Sequence, residues 1–122
     1  MVLRAGTRNR LGQLGETLAA EFLVEKGWKI LERNLTMKLG EIDILAMDGE
    51  VVVVVEVKTQ TSAEYLNPVY KITPAKQRKL HLLALAISIR YPDRNIRIDV
   101  LTLHWLTGQE KPQITHLENV LG

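Results

Sequence analysis

The chain has 122 residues, of which 46% are hydrophobic, a formal net charge of +2 and no cysteine. That length suits one domain, residues 1–122, with a real core but no room for two, and the composition is that of a globular chain. The lack of cysteine excludes disulfides, zinc thiolates and cysteine nucleophiles, and makes the reducing cytoplasm the expected compartment.

Arg4, Arg8 and Arg10 are not followed by an apolar run, so no signal peptide is expected. The longest apolar runs, Val51–Val55 and Leu82–Ile87, are far short of the roughly 20 residues that span a bilayer, so no membrane is expected as a partner. The charge is unevenly spread. From Lys71 to Arg97 seven basic residues face one acid, Asp93, a local charge of +6 that leaves −4 elsewhere. A basic stretch beside acidic clusters suits a polyanion approached through metal ions, although a solvated helix face would look the same.

Residues 10–26 read as a helix. Leu11, Leu14, Leu18 and Phe22 recur at helical spacing as its apolar stripe, and Gly27 is a C-cap. Glu16 falls just outside that stripe, beside Ala19, Ala20 and Leu23. A first strand is expected over 28–32, a second over 38–47 and a third over 50–58, with Asp48-Gly49 as a two-residue hairpin turn. Five consecutive valines, Val51–Val55, point to a strand covered on both faces.

Residues 59–72 have no period and read as a loop. Thr73 is an N-cap before Pro74, opening a second helix that runs to about Ile89 and stops ahead of Pro92. A fourth strand is expected over 94–105, with Ile96, Ile98 and Val100 on one side and Arg97, Asp99 and Leu101 on the other. A short edge strand is expected over 114–121. The fold class is therefore α/β, an α-β-β-β-α-β core with a mixed sheet flanked by helices.

Asp43, Glu56 and Lys58 lie on strands that should be central, where charge is costly unless paired or bound to metal. With Asp48-Gly49 as the loop, Met47 opposes Glu50 and Asp43 opposes Val54. Alternation then places Asp43, Glu56 and Lys58 on one face. Two carboxylates and an amine so arranged suit a hard ion, Mg²⁺ or Mn²⁺. Asp43 and Glu56 would be ligands, with the Val57 carbonyl as a third oxygen. Lys58 would sit beside the attacking water, and Glu16 would hold a ligand water or second ion. Each residue taken alone also has a plain reading: a strand end, a turn-proximal charge or a solvated helix position.

These same stretches carry a resemblance. Gly15-Glu16 with Ala19-Ala20, Gly27-Trp28, Glu32-Arg33-Asn34, Gly40-Glu41-Ile42-Asp43, Val55-Glu56-Val57-Lys58 and Arg97-Ile98-Asp99-Val100 occur in the order found in the YraN-type family. These are small bacterial predicted endonucleases of the PD-(D/E)xK superfamily, distantly similar to archaeal Holliday junction resolvases. The resemblance covers nearly the whole chain. It implies a restriction-endonuclease-like fold and places Glu16, Asp43, Glu56 and Lys58 at the nuclease positions. Ile42 departs from the proline of the superfamily's name, and Gln60 and Tyr65-Leu66 depart from the expected basic residue and aromatic-glycine pair.

Lys76, Gln77 and Arg78 open the second helix, where backbone N–H groups favour phosphate, so they are candidate nucleic-acid contacts or simply solvated. His81, His104 and His116 show no metal-ligand spacing, and Trp28 and Trp105 read as core. The expected activity is metal-dependent hydrolysis of DNA phosphodiester bonds, with branched or recombination intermediates as one substrate class. The alternatives are a non-catalytic nucleic-acid-binding module on the same fold and a protein-interaction domain. DNA is the expected partner, and assembly as a homodimer stays open.

Overall fold

The computed structural model describes residues 5–62 and 72–121, with side chains described for 10–61 and 72–121. The elements are α1 (Ala5–Glu25), β1 (Lys29–Met37), β2 (Gly40–Asp48), β3 (Val51–Ser62), α2 (Pro74–Arg90), β4 (Ile96–Leu106) and β5 (Gln113–Leu117). They form one five-stranded sheet in the order β1-β2-β3-β4-β5, antiparallel except for the parallel pair β3–β4. The expected α-β-β-β-α-β core of a mixed sheet flanked by helices is what is found. Among the described residues no helix is long and apolar enough to cross a membrane.

The valine run sits in the middle strand, as its composition requires. Val53 and Val55 join Ala19, Ala20 and Leu23 of α1 in one core, and Val52 and Val54 join Leu80, Leu83 and Ile87 of α2 in the other. β3 extends past the expected strand end to Ser62, because its last residues pair in parallel with β4 from Thr59↔Leu103 to Ser62↔Leu106. Residues 63–71 of the expected loop, with Tyr65-Leu66 and Lys71 among them, lie outside the described residues.

Two expectations need correction. The apolar stripe of α1 packs only in part: Leu18 and Phe22 lie against the core but Leu14 is 48% exposed, and the fully packed face is that of Ala19, Ala20 and Leu23. The reason is close approach: a Cβ on Gly15 would come within 2.1 Å of the Thr59 Cγ2. Where the helix lies that near the sheet, small residues fit, and Leu14 is left at the rim. Glu16, one residue along from Gly15, is thereby carried to the sheet.

The hairpin register is also different. The ladder runs from Ile44↔Val55 to Asp48↔Val51, so the loop is Gly49-Glu50, with Gly49 in the left-handed region at φ 59°. Asp48 stays in the strand, where its carboxylate accepts from Arg97 at 3.1 Å. The shift is two residues, one full period of side-chain alternation, so the faces are preserved. Asp43 falls across from Glu56 instead of Val54, just beyond the last regular pair.

Alternation breaks beside Asp43. Ile44 belongs to the α1-side core, yet Ile42, two residues away, belongs to the α2-side core together with its partner Leu35. Asn34, between Leu35 and the Arg33↔Ile44 pair, has φ 51°. A residue in the left-handed region rotates the strand locally, and asparagine tolerates it better than most. The ribbon β1–β2 thus turns over at Asn34 and Asp43, where β2 also leaves β3.

On the α1 side of β4 lies a buried ion network. The fully buried Asp99 accepts from Arg97 through both carboxylate oxygens (2.9 and 3.0 Å), from the Asn119 N–H (2.9 Å) and from the His116 Nε2 (2.8 Å). Lys26 Nζ lies 2.8 Å from His116 Nδ1. An ammonium only donates, so Nδ1 is the acceptor and His116 is the neutral Nε2–H tautomer. The Asp99 carboxylate, and Asp48 after it, push the Arg97 guanidinium further toward its charged form. These contacts tie β4 to β5, α1 and the β2–β3 hairpin. They give His116 a structural role, and Trp28 is buried beside it with ring centroids 5.3 Å apart.

Candidate metal centre

Asp43 stands where β2 parts from β3, so its side chain replaces a missing ladder bond. Its Oδ2 accepts the Val57 N–H at 2.8 Å, which fixes one carboxylate oxygen against the strand that carries Glu56 and Lys58. Glu16 reaches the same place from α1 and Glu41 from two residues back on β2. One carboxylate oxygen from each of Glu16, Glu41 and Asp43 lies within 4.8 Å of the others.

The surroundings of Asp43 oppose its ionisation. Burial, the largest cause, raises the Asp43 pKa from 3.8 to about 6. The Val57 N–H acts the other way, and the charges of Glu16, Glu56 and Glu41 add to the rise.

The donor set is all oxygen and rich in negative charge, which is the chemistry of a hard divalent cation. Mg²⁺ binds oxygen at about 2.1 Å, so its ligand oxygens sit about 3 to 4.2 Å apart. The observed spacing needs only a slight closing of three side chains. A second feature agrees: Glu56 Oε2 is buried and has no hydrogen-bond partner. An unsatisfied buried carboxylate oxygen normally has an explanation, and an ion is one.

Glu56 itself lies across from Asp43 and near enough to raise its pKa, but its Oε1 is ion-paired with Lys76 of α2. Lys58 follows on the same face of β3, two residues on, and is exposed. Of the residues singled out by sequence, Glu16 and Asp43 are brought together. Glu56 is adjacent and engaged with Lys76, and Val57 contributes its N–H to Asp43. Gln77 turns back to its own helix start, its Nε2 donating to the Ile72 carbonyl at 3.1 Å. Arg78 is exposed on the outside of α2.

Sequence reasoning passed over Glu41. The signal was available, because Glu41 and Asp43 are two apart on a strand and so share a side wherever alternation holds. His104, which shows no metal-ligand spacing in the sequence, is buried, with no hydrogen-bond partner for its Nε2 among the described residues.

The chain is similar along most of its length to other proteins. A UPF0102 protein of Geobacter metallireducens is 44% identical over 111 residues, 89% of each chain. Others from Thermodesulfovibrio yellowstonii (40% over 113 residues, 92% of this chain and 96% of that one) and Renibacterium salmoninarum (40% over 116 residues, 93% and 98%) align just as completely. The model of the uncharacterised protein family UPF0102 matches residues 15–103, a span that starts at Gly15, whose absent side chain lets α1 touch β3, and contains all four carboxylates. By that match and by these relatives, the chain belongs to the family UPF0102.

Proposed function

We propose that this protein is a metal-dependent nuclease that hydrolyses DNA phosphodiester bonds, with branched intermediates among its substrates. The observation that carries the reading is the convergence of the Glu16, Glu41 and Asp43 carboxylates at the point where β2 leaves β3, close enough to Glu56 for its charge to raise the Asp43 pKa. Asp43, the half-buried member, is disfavoured as an anion, and a cation bound there would offset that cost.

Glu16, Glu41, Asp43 and Glu56 would hold Mg²⁺ or Mn²⁺, with the Val57 carbonyl as a further oxygen. When bound, the ion supplies a Lewis acid for the phosphate and lowers the pKa of water. The remaining roles fall to the chain. The Val57 N–H orients Asp43. Lys58, an ammonium with no lone pair, stabilises the attacking oxygen and the charge that develops at phosphorus. The start of α2, with Thr73 as N-cap and Pro74 in the first turn, presents backbone N–H groups suited to phosphate. Arg78 and Lys79, both exposed, extend the positive surface along the helix.

The test is cleavage of branched, single-stranded and duplex DNA with Mg²⁺, Mn²⁺ or EDTA. A binding module that lacks catalysis would retain salt-dependent DNA affinity and cut none of them.

A further inference from the structure

Lys76 stands in an unfavourable place. It is the third residue of α2, in a first turn that has no acid. A helix N-terminus carries partial positive charge and disfavours cations, and phosphate-binding N-termini keep that charge for their ligand. The backbone N–H of Lys76 is capped by Thr73 Oγ1 at 3.2 Å, while its ammonium pairs with Glu56. The Glu56 side chain is 15% exposed and that of Lys76 33%, so the pair is only partly screened by water. The other oxygen of Glu56 is buried and unbonded. Three carboxylates cluster here, those of Glu16, Glu41 and Asp43, and this lysine is engaged with a fourth, Glu56, which lies outside that group but near enough for its charge to act on Asp43.

We infer that Lys76 is the site's built-in counter-ion: it competes with the divalent ion for Glu56, and ion binding transfers its ammonium to the substrate phosphate. The inference rests on the metal-dependent reading above and adds a regulatory role for one residue. Without an ion, Lys76 offsets part of the acidic charge and is held back from DNA. With the ion present, Glu56 becomes a ligand and the lysine is displaced at the helix terminus where phosphate binds. Lys76 is thus a positioning residue that couples two ligands. By linkage, whatever the ion does for DNA affinity, DNA must do for ion affinity.

The experiment titrates Mn²⁺ calorimetrically into the metal-free parent, Lys76→Met, Lys76→Gln and Lys76→Arg, with folding checked by circular dichroism. It repeats the titration with Lys76→Met in a Glu56→Gln background. Removing the competing charge should tighten Mn²⁺ binding on the order of ten-fold in both neutral variants. Lys76→Arg should bind as the parent does. In the Glu56→Gln background the gain should vanish, because the effect acts through that carboxylate. A second readout is affinity for a short DNA duplex with Ca²⁺ or EDTA. Ca²⁺ should strengthen binding more in the parent than in Lys76→Met. Unchanged Mn²⁺ affinity in both neutral variants, or a gain that persists without Glu56, overturns the inference and leaves the metal reading standing. No Mn²⁺ binding by the parent or by any variant overturns both.

Discussion

Asp43→Asn should make the metal-free protein more stable at neutral pH. The Asp43 pKa is raised from 3.8 to about 6, chiefly by burial, so folding disfavours its ionised form. Each unit corresponds to about 1.4 kcal/mol, giving a ceiling near 3 kcal/mol at pH 7.5. The carboxyl keeps some solvent contact, and screening brings the expected figure to about 1–2 kcal/mol. The sign follows from proton counts. Between pH 3.8 and about 6 the folded state binds more protons at Asp43 than the unfolded state, so stability falls as pH rises through that window. Below it the penalty is absent.

Asparagine retains a carbonyl oxygen for the Val57 N–H and drops the charge. Urea denaturation in EDTA should therefore show the variant about 1–2 kcal/mol more stable than the parent at pH 7.5, roughly 5 °C in Tm for a chain of this size. The two should converge near pH 3.5. Saturating Mn²⁺ should reverse the order at pH 7.5, because ligand binding stabilises only the form that binds it. A variant less stable than the parent at pH 7.5 in EDTA, or a difference that does not change with pH, would refute the argument.

Three further outcomes are expected. Lys58→Ala should bind Mn²⁺ at least as tightly as the parent while single-turnover cleavage falls by about 10² or more, since the lysine acts on the reacting charge and not on the ion. Replacing Lys76 and Arg78 together with alanine should weaken Ca²⁺-supported DNA binding and reduce the salt slope by about 2, one unit per phosphate contact, and an unchanged slope would make this a solvated face. Asp99→Ala should cost about 3–5 kcal/mol by thermal or urea unfolding, because Arg97 and His116 lose their shared partner; a loss below 1 kcal/mol would contradict the role given to that network.

What was legible in the sequence was what local pattern controls. The valine run placed β3 in the middle, Thr73-Pro74 marked the start of α2, and the parity of the hairpin put Glu56 and Lys58 on the face where they are found. The rest depended on contacts between distant residues. The register slipped by two because Asp48 is held in its strand by Arg97, 49 residues away. On α1 the spacing marks Leu18 and Phe22, which do pack, but hydrophobicity also marks the exposed Leu14, whereas the approach at Gly15 and Thr59 is decided by size. β3 was ended early because the partner of Thr59–Ser62 lies on β4.

At the candidate site, Glu16 and Asp43 were chosen and are neighbours, while Glu41 was passed over. The two-residue spacing of Glu41 and Asp43 is legible, but the turn of Ile42 to the other core beside Asn34 is not, because it depends on the adjacent strand. The pairing of Glu56 with Lys76 was hidden, because it links the middle of β3 to a helix start across residues 57–75.

The most direct test of the central claim is single-turnover cleavage of a four-way DNA junction, a single strand and a duplex by the parent and by Asp43→Asn, in Mg²⁺ or Mn²⁺ and in EDTA. The account predicts cleavage of at least one substrate by the parent with a divalent ion, abolished both by EDTA and by the substitution. Cleavage that survives in EDTA or in Asp43→Asn, or none by the parent on any of the three, would contradict it.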